Sequence, residues 1–152
     1  MLNPADIAGM LDHSLLQPQL TDEDIEKGCA VAIQYRTASV CARPGDIARV
    51  APLLRGTGVA VSTVIGFPHG SNLTEVKAFE AERALDQGCT ELDMVLNIGK
   101  LRSGDGDYVL ADIRAVVEVA HRRGAIVKVI LENCYLTDEQ KVEACRLAER
   151  AG

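Results

Sequence analysis

ELDMVLNIGK, Glu91–Lys100, alternates along its length: Leu92, Met94, Leu96 and Ile98 are apolar, while Asp93 and Asn97 fall on the opposite parity. A period of two is the mark of a β-strand whose faces meet different surroundings. An aspartate inside such a strand is costly to bury unless something pairs with it. A second stretch, IVKVILE at Ile126–Glu132, repeats the pattern, with Val127, Val129 and Leu131 on one face and Lys128 and Glu132 on the other. If the two strands are neighbours, Asp93 and Lys128 project to the same side and can form an ion pair. In an open sheet covered on both faces, central strands are apolar throughout. Strands with one apolar face and one face of mixed charge read instead as the wall of a barrel with a charged interior. Two readings of the pair stay open from these residues alone. Desolvation can exceed the Coulombic gain of a structural pair, whereas paired, perturbed groups cluster at functional sites.

Helix signals fill the chain around these strands. Asn3 before Pro4 predicts an N-cap and a short helix to about Met10. Thr21 with Asp24 forms a capping box opening a helix to about Gln34, and Thr137 with Gln140 forms another, for a helix to about Arg150. Further helices are predicted from Pro44 to near Gly56, over Leu73–Gln87 with Gly88 at the C-terminal cap, and over Asp107–Arg123. Short strands are predicted at Ala38–Cys41 and Val59–Ile65, the second followed by the loop GFPHG. Two leading helices and four strand–helix units imply a parallel sheet with right-handed crossovers. The candidates are a doubly wound, flavodoxin-type sheet and part of a (β/α)8 barrel. The two-sided strands favour the barrel. The expected fold class is therefore α/β of the (β/α)8 TIM-barrel family, as a half-barrel of about four βα units in one domain, residues 1–152.

Composition narrows the function. Net charge is −6, no run of Lys or Arg forms a basic stripe, and aromatics make up 3% of the 152 residues. Phosphate-held nucleic acid and base stacking are therefore not expected, although a local pocket can still hold a small anion. No apolar run resembles a signal peptide or a membrane span. The five cysteines form no CxxC pair, and His13, His69 and His121 are far apart. That pattern suggests reduced thiols in a cytoplasmic protein, with no disulfide framework, zinc site or membrane partner.

Several segments together resemble deoxyribose-phosphate aldolases: LDHSLL (Leu11–Leu16), ASVCA (Ala38–Ala42), TVIGFPHGSN (Thr63–Asn72), EVKAFEAERAL (Glu75–Leu85), ELDMVLNIGKLRSGDGDYV (Glu91–Val109) and VKVILENCYLTDEQKVEAC (Val127–Cys145). They run in family order over almost the whole chain. The resemblance implies a class I aldolase on a (β/α)8 barrel that cleaves 2-deoxyribose 5-phosphate reversibly into acetaldehyde and glyceraldehyde 3-phosphate. A lysine Schiff base carries that chemistry, so no metal or other cofactor is implied. By the same resemblance, Asp93 and Lys128 belong to a proton-handling network with a bound water, Asp12 lines the pocket, and Cys41 lies close to the substrate. Arg36-Thr37 stands where the family usually has Gly-Phe, a change expected to affect packing only. The family's Schiff-base lysine lies on the strand after the helix ending AERAG, beyond Gly152. The 152 residues are therefore expected to show little or no activity alone. A half-barrel with open edges is also expected to self-associate, as a homodimer or a higher assembly. Lys128 reads as the only interior lysine. Cys41 stays open between a core residue and a site residue, and Glu132 between a surface charge and a pocket group. His69 reads as surface, and Tyr108, Cys29, Cys89 and Cys145 as packing residues.

Overall fold

A computed structural model describes residues 3–152. Asn3 caps the short helix α1 (Pro4–Ala8), its side chain accepting from the Asp6 N–H while Asp6 answers with its carboxylate. The chain then forms β1 (Asp12–Leu15), α2 (Asp22–Tyr35), β2 (Ser39–Ala42), a 3-10 turn at Pro44–Asp46, and α3 (Ile47–Leu54). It continues through β3 (Ala60–Ile65), α4 (Thr74–Asp86), β4 (Glu91–Val95), α5 (Ile98–Arg102) and α6 (Gly106–His121). β5 (Ile126–Ile130), a 3-10 turn at Asn133–Tyr135 and α7 (Asp138–Ala151) complete it. Both capping boxes form as the sequence suggested, Thr21 with Asp24 and Thr137 with Gln140.

The sheet has five strands in the order β1-β2-β3-β4-β5, and every neighbouring pair is parallel. This corrects the expectation of four strand–helix units behind two helices. LDHSLL is a strand, so Cys41 lies on the second strand and not the first. Sequential order also removes the doubly wound alternative, in which the order reverses at a switch point.

The sheet curls. β1 and β5 are its opposite edges, so a flat sheet would hold them about 19 Å apart, four spacings of ~4.8 Å. Yet Nζ of Lys128 on β5 lies 2.6 Å from Oδ2 of Asp12 on β1. Two side chains cannot span the flat distance, so the five strands form part of a barrel wall, against the eight of a complete one.

The layers follow the alternation. Leu15, Val40, Ala42, Val61, Ile65, Leu92 and Met94 point outward into one cluster with helix residues such as Ile25, Ile47, Ala81, Ile113 and Val116. Cys41, Val64 and Val95 are equally buried but stand outside that cluster, on the inner face. β2 is buried along its whole length, whereas no residue of β5 is fully buried and Ile126 is 57% exposed.

Two local departures matter. Arg36 ends α2 in the left-handed region at φ 53°, where its amide donates to the carbonyls of Ala32 and Ile33. The sequence expectation was a change of packing only, but the substitution stands at a backbone position that glycine adopts without strain. The GFPHG loop lies directly on the exit of β4. A Cβ on Gly70, φ 67°, would come within 1.9 Å of the Leu96 carbonyl oxygen.

Candidate active site

Register and curl converge four strands on one group. Asp93 pairs with Lys128 across β4 and β5, as their shared parity suggested. Lys128 Nζ donates to Oδ2 of Asp93 at 2.9 Å and to Oδ2 of Asp12 at 2.6 Å. The Cys41 thiol approaches the same Asp93 oxygen at 3.5 Å, and Ser39 Oγ donates to Oδ1 of Asp12 at 2.7 Å. One hydrogen-bonded chain thus runs Ser39–Asp12–Lys128–Asp93–Cys41 across the interior. It contains all four residues singled out in the sequence: Asp12, Cys41, Asp93 and Lys128. Ser39 was not among them, although it lies two residues before Cys41 and so on the same strand face.

Exposure is uneven along this chain. Asp93 is 5% exposed, so it has little water of its own. The Lys128 side chain is 53% exposed and the Asp12 side chain 35%, so the ammonium bridges a sealed carboxylate and an accessible one. Burial alone would lower the Lys128 pKa, but its hydrogen bonds to Asp12 and Asp93 and their charges outweigh that and hold it above its ordinary value. The Lys128 hydrogen bond, followed by that of Ser39, holds the Asp12 carboxyl below the usual carboxylate range against a smaller effect of burial. Two residues before Asp93 on β4, Glu91 moves the other way. Burial raises its pKa, and the negative charges of Asp12 and Asp93 add to the rise. Burial and then the Asp93 charge push the Cys41 thiol up to about 12, so at neutral pH it is a thiol and not a thiolate.

The arrangement suits proton transfer. A carboxylate in a dry site beside a fixed cation can take and return a proton, directly or through one water. It suits attack by Lys128 poorly, because addition to a carbonyl needs a free amine and two carboxylates hold this one as ammonium.

Other residues fall outside this chain. Glu132 is half-buried at φ 55° and accepts from the exposed Cys134 thiol, not from Lys128. His69 is exposed, as expected, while Cys145 is exposed and not the packing residue that its helical position suggested. A second lysine is buried, but outside the interior that Lys128 faces. Lys77 of α4 and Asp112 of α6 are both fully buried between the helices, 2.6 Å apart. Lys77 also donates to the carbonyl of Val95, and Thr74 donates to the other oxygen of Asp112. This pair ties α4 and α6 to the end of β4, behind the wall and away from the interior chain.

Comparison with known proteins gives the family. The family model for the DeoC/LacD family aldolases matches residues 7–151. The deoxyribose-phosphate aldolase of Thermococcus gammatolerans is 53% identical over 149 residues, covering 97% of this chain and 66% of that protein. That of Clostridium perfringens is 50% identical, covering 96% of this chain and 65% of that protein. The chain thus spans just under two thirds of the length of these curated relatives. Among solved structures, one described as a deoxyribose-phosphate aldolase from Coccidioides immitis superposes with a TM-score of 0.95 at 40% identity, covering 99% of this chain and 59% of that one. The tetrameric deoxyribose phosphate aldolase of Aeropyrum pernix gives 0.91 at 33% identity, covering 99% and 62%.

Proposed function

Because the chain belongs to the DeoC/LacD aldolase family, we propose that its curled sheet is the proton-handling side of an aldolase site acting on 2-deoxyribose 5-phosphate. In this reading an amine adds to the sugar's aldehyde carbon and loses water, giving an iminium. The iminium receives the electron pair of the breaking C2–C3 bond as the 3-hydroxyl loses its proton, and glyceraldehyde 3-phosphate leaves. The remaining enamine takes a proton on carbon, and hydrolysis releases acetaldehyde. Asp93 with Lys128 moves these protons, Asp12 shares the ammonium, and Cys41 lines the pocket as a neutral thiol.

The observation that carries this reading is the pairing of Lys128 with two carboxylates, one of them sealed. A cation held in this way is a poor nucleophile, and it sits within one hydrogen-bond length of a carboxylate that can pass protons. Lys77 is enclosed between helices. The family resemblance puts the attacking amine on a later strand than any in residues 1–152, so in this reading these residues alone do not turn over. No helix among the described residues is long and apolar enough to cross a membrane, which is consistent with a cytoplasmic site for the reaction.

The test uses the purified chain and a chimera in which residues 1–152 are joined to the remaining third of the Thermococcus gammatolerans relative, assayed for release of glyceraldehyde 3-phosphate. The chain alone is expected to be silent and the chimera active. Asp93→Asn in the chimera is expected to cost ~10²–10⁴-fold in rate, the usual contribution of a positioned acid or base. A borohydride-trapped acetaldehyde adduct on Lys128, or a chimera indifferent to Asp93→Asn, would overturn the assignment.

A second reading, a self-associating scaffold, is supported by the β5 edge and by Ile126 at 57% exposure. Sedimentation equilibrium decides it: a concentration-independent monomer contradicts self-association.

A further inference from the structure

Ser39 is fully buried, and its hydroxyl is directed at a charge. It sits on β2, the strand buried throughout, and its own carbonyl accepts from Thr37 Oγ1 at 3.1 Å. Its place is therefore fixed on both sides. Asp12 is its opposite in every respect. It lies on an edge strand of four residues, pairs in register with Ser39, and keeps 35% of its side chain exposed. An edge carboxylate in contact with water has other rotamers available. Lys128, 53% exposed, likewise has water as an alternative partner.

The hydrogen bonds apportion the oxygens. Ser39 takes Oδ1 of Asp12, which leaves Oδ2 for Lys128. Lys128 then reaches Oδ2 of Asp93 from a fixed direction, on the side where Cys41 also meets that oxygen. Oδ1 of Asp93 takes part in none of these contacts, so it is the oxygen left to meet water or substrate. Fixing Asp12 therefore also sets the direction from which Lys128 approaches Asp93.

We propose that Ser39 is a positioning residue: by engaging Oδ1 of Asp12 it holds that carboxylate where Lys128 is shared between Asp12 and Asp93, leaving Oδ1 of Asp93 free for the reaction. The catalytic consequence rests on the aldolase reading above, whereas the control of Asp12 does not. Asp12 meets Lys128 from β5 and Ser39 from β2, and its charge also acts on Glu91 of β4. Of these three, Ser39 is the one that can be changed without altering the charge of the interior.

The experiment follows the Asp12 carboxyl carbon by NMR through a pH titration of the chain itself, comparing the parent with Ser39→Ala and Ser39→Cys. Ser39→Cys keeps nearly the same volume with a much weaker donor, and it serves if Ser39→Ala does not fold. Both variants are expected to move the Asp12 midpoint to higher pH, because one of the hydrogen bonds favouring the ionised form is gone. In the chimera, both are expected to lower kcat about tenfold with KM little changed, as misplacement of a reacting group does. They should also move the acid limb of the rate profile upward in pH. An unmoved Asp12 midpoint in both variants, with only a lower Tm, would reduce Ser39 to packing and overturn the proposal. A shifted midpoint supports control of Asp12 whatever the chimera does. If the chimera is at the same time indifferent to Asp93→Asn, the aldolase reading fails separately.

Discussion

Lys77→Met puts a number on the buried ion pair behind the wall. Both partners are fully buried and 2.6 Å apart. Methionine keeps most of the lysine stem's volume, so little of the cost comes from a cavity. What remains is an Asp112 carboxylate with only the Thr74 hydroxyl to meet it. Breaking one side of a buried pair costs ~3–5 kcal/mol. For a chain of this size each kcal/mol moves Tm by ~2–4 °C, so a fall of about 6–20 °C is expected. The double variant Lys77→Met/Asp112→Leu should recover most of the loss, because an apolar pair of similar volume is neutral or better in such a place. Thermal unfolding followed by circular dichroism, for both single variants and the double, supplies the cycle. A Tm loss below about 2 °C, or strictly additive effects, would refute the reasoning.

Arg36→Gly should stabilise the chain by about 0.5–1 kcal/mol, because it relieves a left-handed residue at the end of α2; an unchanged or lower Tm would count against strain there. With iodoacetamide near neutral pH, Cys134 and Cys145, both exposed, should alkylate first, whereas the buried Cys29, Cys41 and Cys89 should wait for unfolding. Peptide mapping reads the order, and labelling of Cys41 as fast as Cys134 would contradict a neutral, enclosed thiol.

The interior chain was legible where alternation carried it. Asp93 and Lys128 interrupt two apolar strands at matching parity, and in a parallel sheet of adjacent strands that parity becomes contact. β1 was not legible by the same rule. Its four residues, Asp12, His13, Ser14 and Leu15, include one aliphatic side chain, since an edge strand buries little and this one turns polar groups inward. Only the resemblance drew attention to Asp12. α4 misleads in the other direction. Val76 and Phe79 look like its core face but are 45% and 62% exposed, while the buried line is Lys77, Ala81, Ala84 and Leu85. That line has helical spacing, with a lysine in a position where apolar residues are expected. α6 repeats the anomaly, with Asp112 among the buried Val109, Ile113, Val116 and Val117. Two helices, each with one opposite charge on its small-residue or apolar face, were the available signal for the pair.

The two lysines show why burial alone does not separate structure from function. Lys77 has no exposure and two fixed acceptors, Asp112 and the end of β4. Its loss should be felt as stability, because nothing can replace what it satisfies. Lys128 is half exposed, and pairs with that much solvent contribute ~0–1 kcal/mol. The curl that brings β1 to β5 therefore does not depend on the Lys128–Asp12 bridge. It is set by parallel pairing and by the outward apolar layer from Leu15 to Met94. The bridge is a consequence of the curl, placed where the wall opens to water. Two carboxylates around one accessible ammonium contribute little to holding the barrel wall together. In the proposed reading they hold charge where a substrate can reach it, and that difference in consequence supports giving the interior chain to chemistry and the Lys77 pair to the scaffold.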